Sequence, residues 1–272
     1  MRTLRETIIK SATKEQDMIM CGKKNYSRGS KRVGSKIVSI ALLAVVLGIC
    51  TPKSCLACPG GKSIIRSGVS CHDKQVIIEE HNRLRQLVAL GQIRGQPSAK
   101  MMMEIVWDDE LAAMAQNWAN RCPEDHDHSR HVGRFSVGQN MARAWTTKIP
   151  TDPYESEPEW KRHIISWFNE YRYYRSGLFS TATAHYTQVI WGNTVFVGCG
   201  FSYYYDPVRG YTKNYVCNYG PSGNIIGYHP YPHGWPECSS YGETYSNKYS
   251  GLCARSYYYP LGLYCAYSPA SS

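Results

Sequence analysis

The stretch HYTQVIWGNTVFVGCG, residues 185–200, opens on a histidine and runs into a strand-like segment around Cys199. An imidazole at that place can ligate a metal, move a proton, or fill a hydrogen-bonded pocket. More imidazoles lie upstream in PEDHDHSRH, where His126, His128 and His131 stand close together. They suggest a local three-histidine site, but their spacing fits no helical face that would converge the rings. His128 and His131 are therefore expected to be exposed. Ser129 lies beside them, yet acyl transfer needs a hydroxyl, a base and a third group that holds the base. No nucleophile elbow and no HExxH motif is present, and no P-loop, dinucleotide fingerprint or EF-hand appears. His81 sits on a helical face and is expected to be packed or hydrogen-bonded, not to be a ligand.

Three helical stretches must position these groups. KQVIIEEHNRLRQLVALG places Ile77, Glu80, His81, Leu84, Leu87 and Val88 at helical spacing, with Gly91 as a stop. DDELAAMAQNWANRC carries an apolar stripe of Leu111, Met114, Ala115, Trp118, Ala119 and Cys122, and its first turn is acidic, as the helix dipole favours. EWKRHIISWFNEYRYY repeats the pattern with Trp160, Ile164, Trp167, Phe168 and Tyr171, and Glu170 lies on the flank of that buried face. The segment between the second and third helices is too polar and glycine-punctuated for a fourth long helix. Residues 147–160, with three prolines, read as a surface loop.

From His185 onwards the period changes to two. QVIW, VFVGCGFSYYY and YTKNYVCNY read as strands, and DPVRG at 206–210 is the turn between the last two. A hairpin centred on Val208 sets Cys199 opposite Cys217, which predicts a cross-strand disulfide. Helices gathered ahead of a small antiparallel sheet indicate an α+β fold. Residues 229–272 hold many tyrosines and no clear period, and read as a short extension tied by disulfides because it cannot build a core.

The formal charge of +10 over 272 residues is concentrated at one end. Residues 1–57 hold 11 Lys/Arg against 3 Asp/Glu, leaving 20 against 18 for the rest, so no nucleic-acid partner is expected. KRVGSK followed by the 14-residue apolar run 37–50 resembles a signal peptide. The run falls short of the roughly 20 residues of a comfortable bilayer span, so no stable membrane insertion is expected after cleavage. The extension ahead of it is long, and Met18 or Met20 offers an alternative start. Residues 1–57 are thus read as an extended leader and signal peptide, with 58–70 as an N-terminal arm. Cleavage after Ala57 leaves eight of the 11 cysteines, an even number that suits a secreted, extracellular chain with four disulfides. No Asn-X-Ser/Thr sequon follows residue 57.

HNRLRQ, VWDDELAAMAQNWANRC, HDHSRHVGRFSVGQNMA, HYTQVIWGNT and CNYGPSGNIIGYHPY occur in one order. Together they resemble the CAP superfamily of cysteine-rich secretory, antigen 5 and plant pathogenesis-related proteins, most closely the arthropod venom allergen (antigen 5) branch. The resemblance covers about residues 71–228, a CAP (SCP) domain, and likens 229–272 to a reduced cysteine-rich hinge. It implies an α-β-α sandwich with a three-stranded antiparallel sheet. It also implies a cleft tetrad, carried over as His126, Gln139, Glu170 and His185. Gln139 stands where much of the superfamily has glutamate, a replacement shared by antigen 5 proteins. The implied disulfides are Cys71–Cys122 and Cys238–Cys253, with Cys58–Cys265 as the remainder. Ser129, Tyr241 and Tyr245 stand where relatives often have cysteines.

Two imidazoles and a carboxylate suit Zn²⁺ or another divalent metal, to which Gln139 adds only a neutral carbonyl oxygen. A hydrogen-bonded polar cluster lining a wet cleft is the alternative. The family further implies a non-enzymatic carrier of a small hydrophobic ligand (sterol, fatty acid or eicosanoid) or a binder of an extracellular protein. Ile77, Leu84, Leu87 and Val88 could then form a groove wall, with core packing as the other reading. A metal-dependent hydrolase using His126, Glu170 and His185 is the competing activity.

Overall fold

Where the chain leaves the N-terminal arm, Ser70 starts the first helix by a reciprocal cap. Its hydroxyl accepts from the Asp73 amide at 3.1 Å, and the Asp73 carboxylate accepts from the Ser70 amide at 2.9 Å. The computed structural model describes residues 58–255 except 176 and 178. The expected leader at 1–57 and Cys265 lie outside the described residues. Contacts divide the chain into two units, Met1–Ile49 and Cys50–Ser272, and all described residues belong to the second.

In chain order the elements are β1 (Ser63–Ser67), α1 (Cys71–Ala89), β2 (Val106–Trp107), α2 (Asp109–Ala119), β3 (Gly138–Thr146), α3 (Trp160–Phe168), α4 (Ala184–Val189), β4 (Phe196–Asp206), β5 (Gly210–Gly220), β6 (Thr244–Tyr245) and β7 (Cys253–Ala254). The first helix gives way to Gly91 at φ +67°, at the stop expected from sequence. Asp108 caps α2 by accepting from the Leu111 amide at 2.9 Å. The three-stranded antiparallel core is β3-β5-β4; β1 extends it antiparallel beyond β4, and β2 adds a short parallel pairing to β4.

The hairpin register puts Cys199 directly opposite Cys217, and the two are bonded with Cα atoms 4.1 Å apart. Alternation then assigns the faces. Val197, Cys199, Phe201, Tyr203, Tyr215, Cys217 and Tyr219 join the core formed with α1, α3 and α4. The opposite face is crossed by α2 at very short range. A Cβ on Gly198 would lie 2.1 Å from the Ala112 nitrogen, and one on Gly200 would lie 2.4 Å from the Gln116 Cα. Glycine on both sides of Cys199 is what lets the helix backbone rest on the strand. Helices therefore cover both faces, and the sandwich is α-β-α.

Several expectations are corrected. QVIW is not a strand: His185–Val189 lie in α4, and Tyr186 to Val189 are all buried. A short buried run carries no period that separates helix from strand. The polar segment ahead of residue 147 holds β3, whose sequence GQNMARAWT alternates too weakly to announce a strand. Cys122 pairs with Cys58 and not with Cys71, with Cα atoms 5.4 Å apart. The cause is the arm: β1 lies on β4 and carries Cys58 to the end of α2. Cys58 is thereby unavailable to Cys265, and Cys71 is itself disulfide-bonded. Cys238–Cys253 forms as expected. It sits beside the small ladder β6–β7, and the extension docks through backbone bonds between Cys253 and both Met102 and Glu104.

The stripe Ile77, Leu84 and Val88 is at most 3% exposed and belongs to the core, with Leu87 packed against it. These four residues form no groove wall, because the face they share is the one α1 turns towards the sheet and α3.

Candidate functional site

His126, Gln139, Glu170 and His185 come from four segments and meet as two pairs. His126 follows α2 in a loop anchored by the Trp118 indole, which donates to the Asp125 carbonyl at 3.0 Å. Its Nδ1 lies 2.8 Å from Oε1 of Gln139 on β3, and the Asp127 amide donates to the same oxygen at 3.1 Å. The Gln139 amide nitrogen in turn donates to Asn218 Oδ1 on β5 at 2.9 Å, and Asn218 donates to the Leu111 carbonyl at 3.3 Å. An oxygen acceptor at Gln139 requires the Nδ1–H tautomer of His126.

The second pair is built at the start of α4. Glu170, in the turn of 3₁₀ helix Asn169–Arg172 that extends α3, accepts from His185 Nδ1 at 2.7 Å. Its other oxygen accepts from the backbone amides of His185 and Tyr186 at 3.1 and 3.2 Å. The Trp167 ring stacks on His185 at 6.3 Å between centroids, and Asn140 on β3 donates to the His185 carbonyl at 3.1 Å. Both imidazoles then line one cleft of about 180 Å³, together with Glu124, Asp125, Met141, Ala142, Arg143 and Asn214. Glu124 is not a free ligand there. Its carboxyl is held down to about 2, first by the Lys62 ammonium and then by the Arg209 and Arg143 guanidiniums against the cost of burial.

The residues can be weighed against a divalent metal. Gln139 and Glu170 each occupy an Nδ1, so they orient the imidazoles and leave the two Nε2 atoms as donors. Among the described residues no group of three or more His, Cys, Asp or Glu is placed to hold an ion. Two nitrogens are fewer than the three or four protein ligands of ordinary zinc sites. The donor set therefore falls short of an ordinary zinc site among the described residues. His128 and His131 are exposed and do not join, and the His131 Nδ1 is taken by the Val137 amide at 3.1 Å. Ser129 is also exposed, and the Nδ1 of neighbouring His126 is bonded to Gln139 instead.

Two residues of HNRLRQ that sequence reading passed over do most to hold the site. Arg85 is fully buried and donates six hydrogen bonds to five carbonyls, those of Met103, Val189, Trp191, Gly192 and Thr194. Val189 ends α4, so the guanidinium caps the helix that carries His185 at its negative end. Asn82 makes a two-way bond with Ile105, donating at 2.8 Å and accepting at 2.7 Å. The available signal was a cation and an amide on the buried side of an otherwise apolar helical stripe. His81 is packed as expected: Nδ1 meets the Ile77 carbonyl at 2.7 Å and Nε2 meets the Tyr219 hydroxyl at 2.9 Å.

A model of the cysteine-rich secretory protein family, CAP, matches residues 78–219. Venom allergen 5 of Vespula maculifrons is 40% identical over 178 residues, which span 61% of this chain and 83% of that protein. Salivary antigen-5 of Triatoma infestans is 35% identical over 197 residues, 66% of this chain and 80% of the relative. Among solved structures, BmVAL-1 aligns with a TM-score of 0.58 at 25% identity, covering 73% of this chain and 98% of that one. NaASP2, solved with Zn²⁺, aligns at 0.53 and 26% identity, covering 72% and 100%.

Burial pushes the His81 imidazole down to about 4, against the smaller opposite pull of its bond to Ile77. A ring that stays neutral when folded but titrates normally when unfolded costs no stability above about pH 6.5. Between there and pH 4 the unfolded chain binds the extra proton, and about 3 kcal/mol is lost. Denaturant titrations at pH 7 and pH 4 should show wild type losing that much more than His81→Gln. Equal losses in both proteins would contradict the assignment.

Proposed function

The chain belongs to the cysteine-rich secretory protein (CAP) family, and from that premise we propose that it is a secreted, non-catalytic binding protein of the antigen 5 type, and that its ligand is a small hydrophobic molecule with an anionic end. Secretion is supported by the disulfides, which persist in oxidising compartments, and by relatives named as venom and salivary proteins. None of the helices among the described residues is long and apolar enough to cross a membrane. Binding without turnover is supported by the cleft, where among the described residues no hydroxyl bonds to the imidazole of His126 or His185. Without an activated nucleophile the pair has no acyl-transfer partner.

The observation that carries the ligand class is a groove of about 460 Å³ between α1 and α3, within the usual range for small-molecule sites. Val76, Pro158, Trp160 and Ile165 supply apolar wall, and the polar lining is His72, Lys161 and Arg162 with two carboxylates, Asp73 held by Ser70 and Glu159 held by Arg162 and Lys213. Val76 is the neighbour of core residue Ile77, so the groove uses the flank of α1 next to the buried stripe. Arg162 is tied to Glu159 at 3.1 Å, whereas Lys161 makes no ion pair among the described residues and can meet a carboxylate. Fatty acids and eicosanoids match this pairing of apolar wall and cationic rim better than sterols do. An extracellular protein target remains compatible with the same surface.

The cleft supports a second, independent reading as a weak divalent-cation site using Nε2 of His126 and His185. When bound there, an ion such as Zn²⁺ supplies a fixed positive charge; the chain itself supplies two tautomer-locked imidazoles.

Fluorescent fatty-acid titration tests the groove. Ile165→Trp should weaken binding at least tenfold, and His185→Ala should leave it intact. No saturable binding by wild type, or binding indifferent to Ile165→Trp, would remove the proposal. For the cleft, Gln139→Glu should tighten Zn²⁺ about tenfold, because a carboxylate makes His126 a better donor. The Asn218 amide must flip to accommodate it. His185→Ala should abolish binding, and calorimetry showing neither change would rule out a cation at these residues.

A further inference from the structure

The loop that leaves the sheet carries a second pair of imidazoles in the sequence HPYPH, residues 229–233. Its backbone is pinned from both sides. Pro230 accepts from the Gly192 amide at 2.7 Å, Pro232 from the Lys100 amide at 2.8 Å, and Gly234 donates to Ser98 at 2.9 Å. His233 also forms a bridge with Ala99. Between the histidines, Tyr231 is buried and donates its hydroxyl to the Pro97 carbonyl at 3.0 Å. Two prolines add fixed φ angles. The two rings are thus held on a stiff support while both residues remain exposed to solvent.

The rings face each other edge to face, with centroids 5.3 Å apart and planes at 66°. Metal–imidazole bonds of about 2.0–2.1 Å place an ion about 3.2 Å from each centroid, so two rings at the tetrahedral angle stand about 5.2 Å apart. The observed separation meets the tetrahedral requirement that Zn²⁺ favours, and is wider than the roughly 4.5 Å of two cis rings on a square-planar Cu²⁺, which the rings reach by closing slightly. Among the described residues neither ring makes a hydrogen bond or an ion pair, so their nitrogens are uncommitted.

We infer that His229 and His233 form a surface chelate for a late first-row divalent cation, with water completing the coordination. Imidazole nitrogens suit Cu²⁺ and Zn²⁺, and the Irving–Williams order puts Cu²⁺ first. The site shares no residue with the cleft of His126 and His185 or with the groove beside α3, so it stands whether or not those readings hold.

The test loads the full secreted chain with Cu²⁺ alone, in a His126→Ala/His185→Ala background that removes the cleft donors. Calorimetry should show one ion per chain, and electron paramagnetic resonance should show two nitrogen ligands. His229→Ala and His233→Ala should each weaken binding at least tenfold and reduce the nitrogen count to one. Both side chains are exposed, so neither change threatens folding. Absence of stoichiometric Cu²⁺ uptake in this background, or uptake indifferent to both single substitutions, would overturn the inference.

Discussion

A guanidinium buried without a carboxylate is expensive unless every donor finds an acceptor. Arg85 meets that condition with carbonyls alone, and those carbonyls come from the segments that surround the site. Burial pulls its pKa down to about 9, so it remains charged at neutral pH. One side chain thereby fixes the end of α4, the turn after it and the strand entry at Met103. The position of His185 follows from that clamp at one end of α4 and from Glu170, which accepts the first amides, at the other.

The remaining geometry depends on how closely the layers approach. Gly198 and Gly200 let α2 lie on β4, which sets where the chain emerges towards His126. Gln139 and Asn140 are consecutive on β3 and point to opposite faces, so one strand serves both pairs: Gln139 holds His126, while Asn140 holds the backbone of His185. From the other side His81 bonds Tyr219, whose hydroxyl also receives a long 3.5 Å contact from Asn140. Helix, sheet and site are joined by one chain of polar contacts, each satisfied inside the protein.

Much of this was legible beforehand. The helices showed in their apolar spacing, and the hairpin showed in a turn whose symmetry paired Cys199 with Cys217. Strand β3 did not show, because three of its nine residues, Gln139, Asn140 and Arg143, are polar groups that serve the site and break the alternation. QVIW reads as a strand of its own yet begins inside α4, because a buried helical turn and a buried strand look alike over four residues. The partner of Cys122 was missed for a different reason: the arm that delivers Cys58 has no apolar pattern, and its position comes from backbone pairing to β4. The resemblance names His126, Gln139, Glu170 and His185 together, but the division into ring and ring-holder, His126 on Gln139 and His185 on Glu170, is a matter of hydrogen-bond direction that no spacing encodes.

The central claim is that Arg85 holds the site-bearing segment in place. Hydrogen exchange of wild type and Arg85→Lys reads this directly, because lysine keeps the charge but cannot reach five carbonyls. Amides of residues 184–194 should lose protection, while α2 and the β4–β5 hairpin keep theirs. Unchanged protection across 184–194 would show that the segment is held without the clamp.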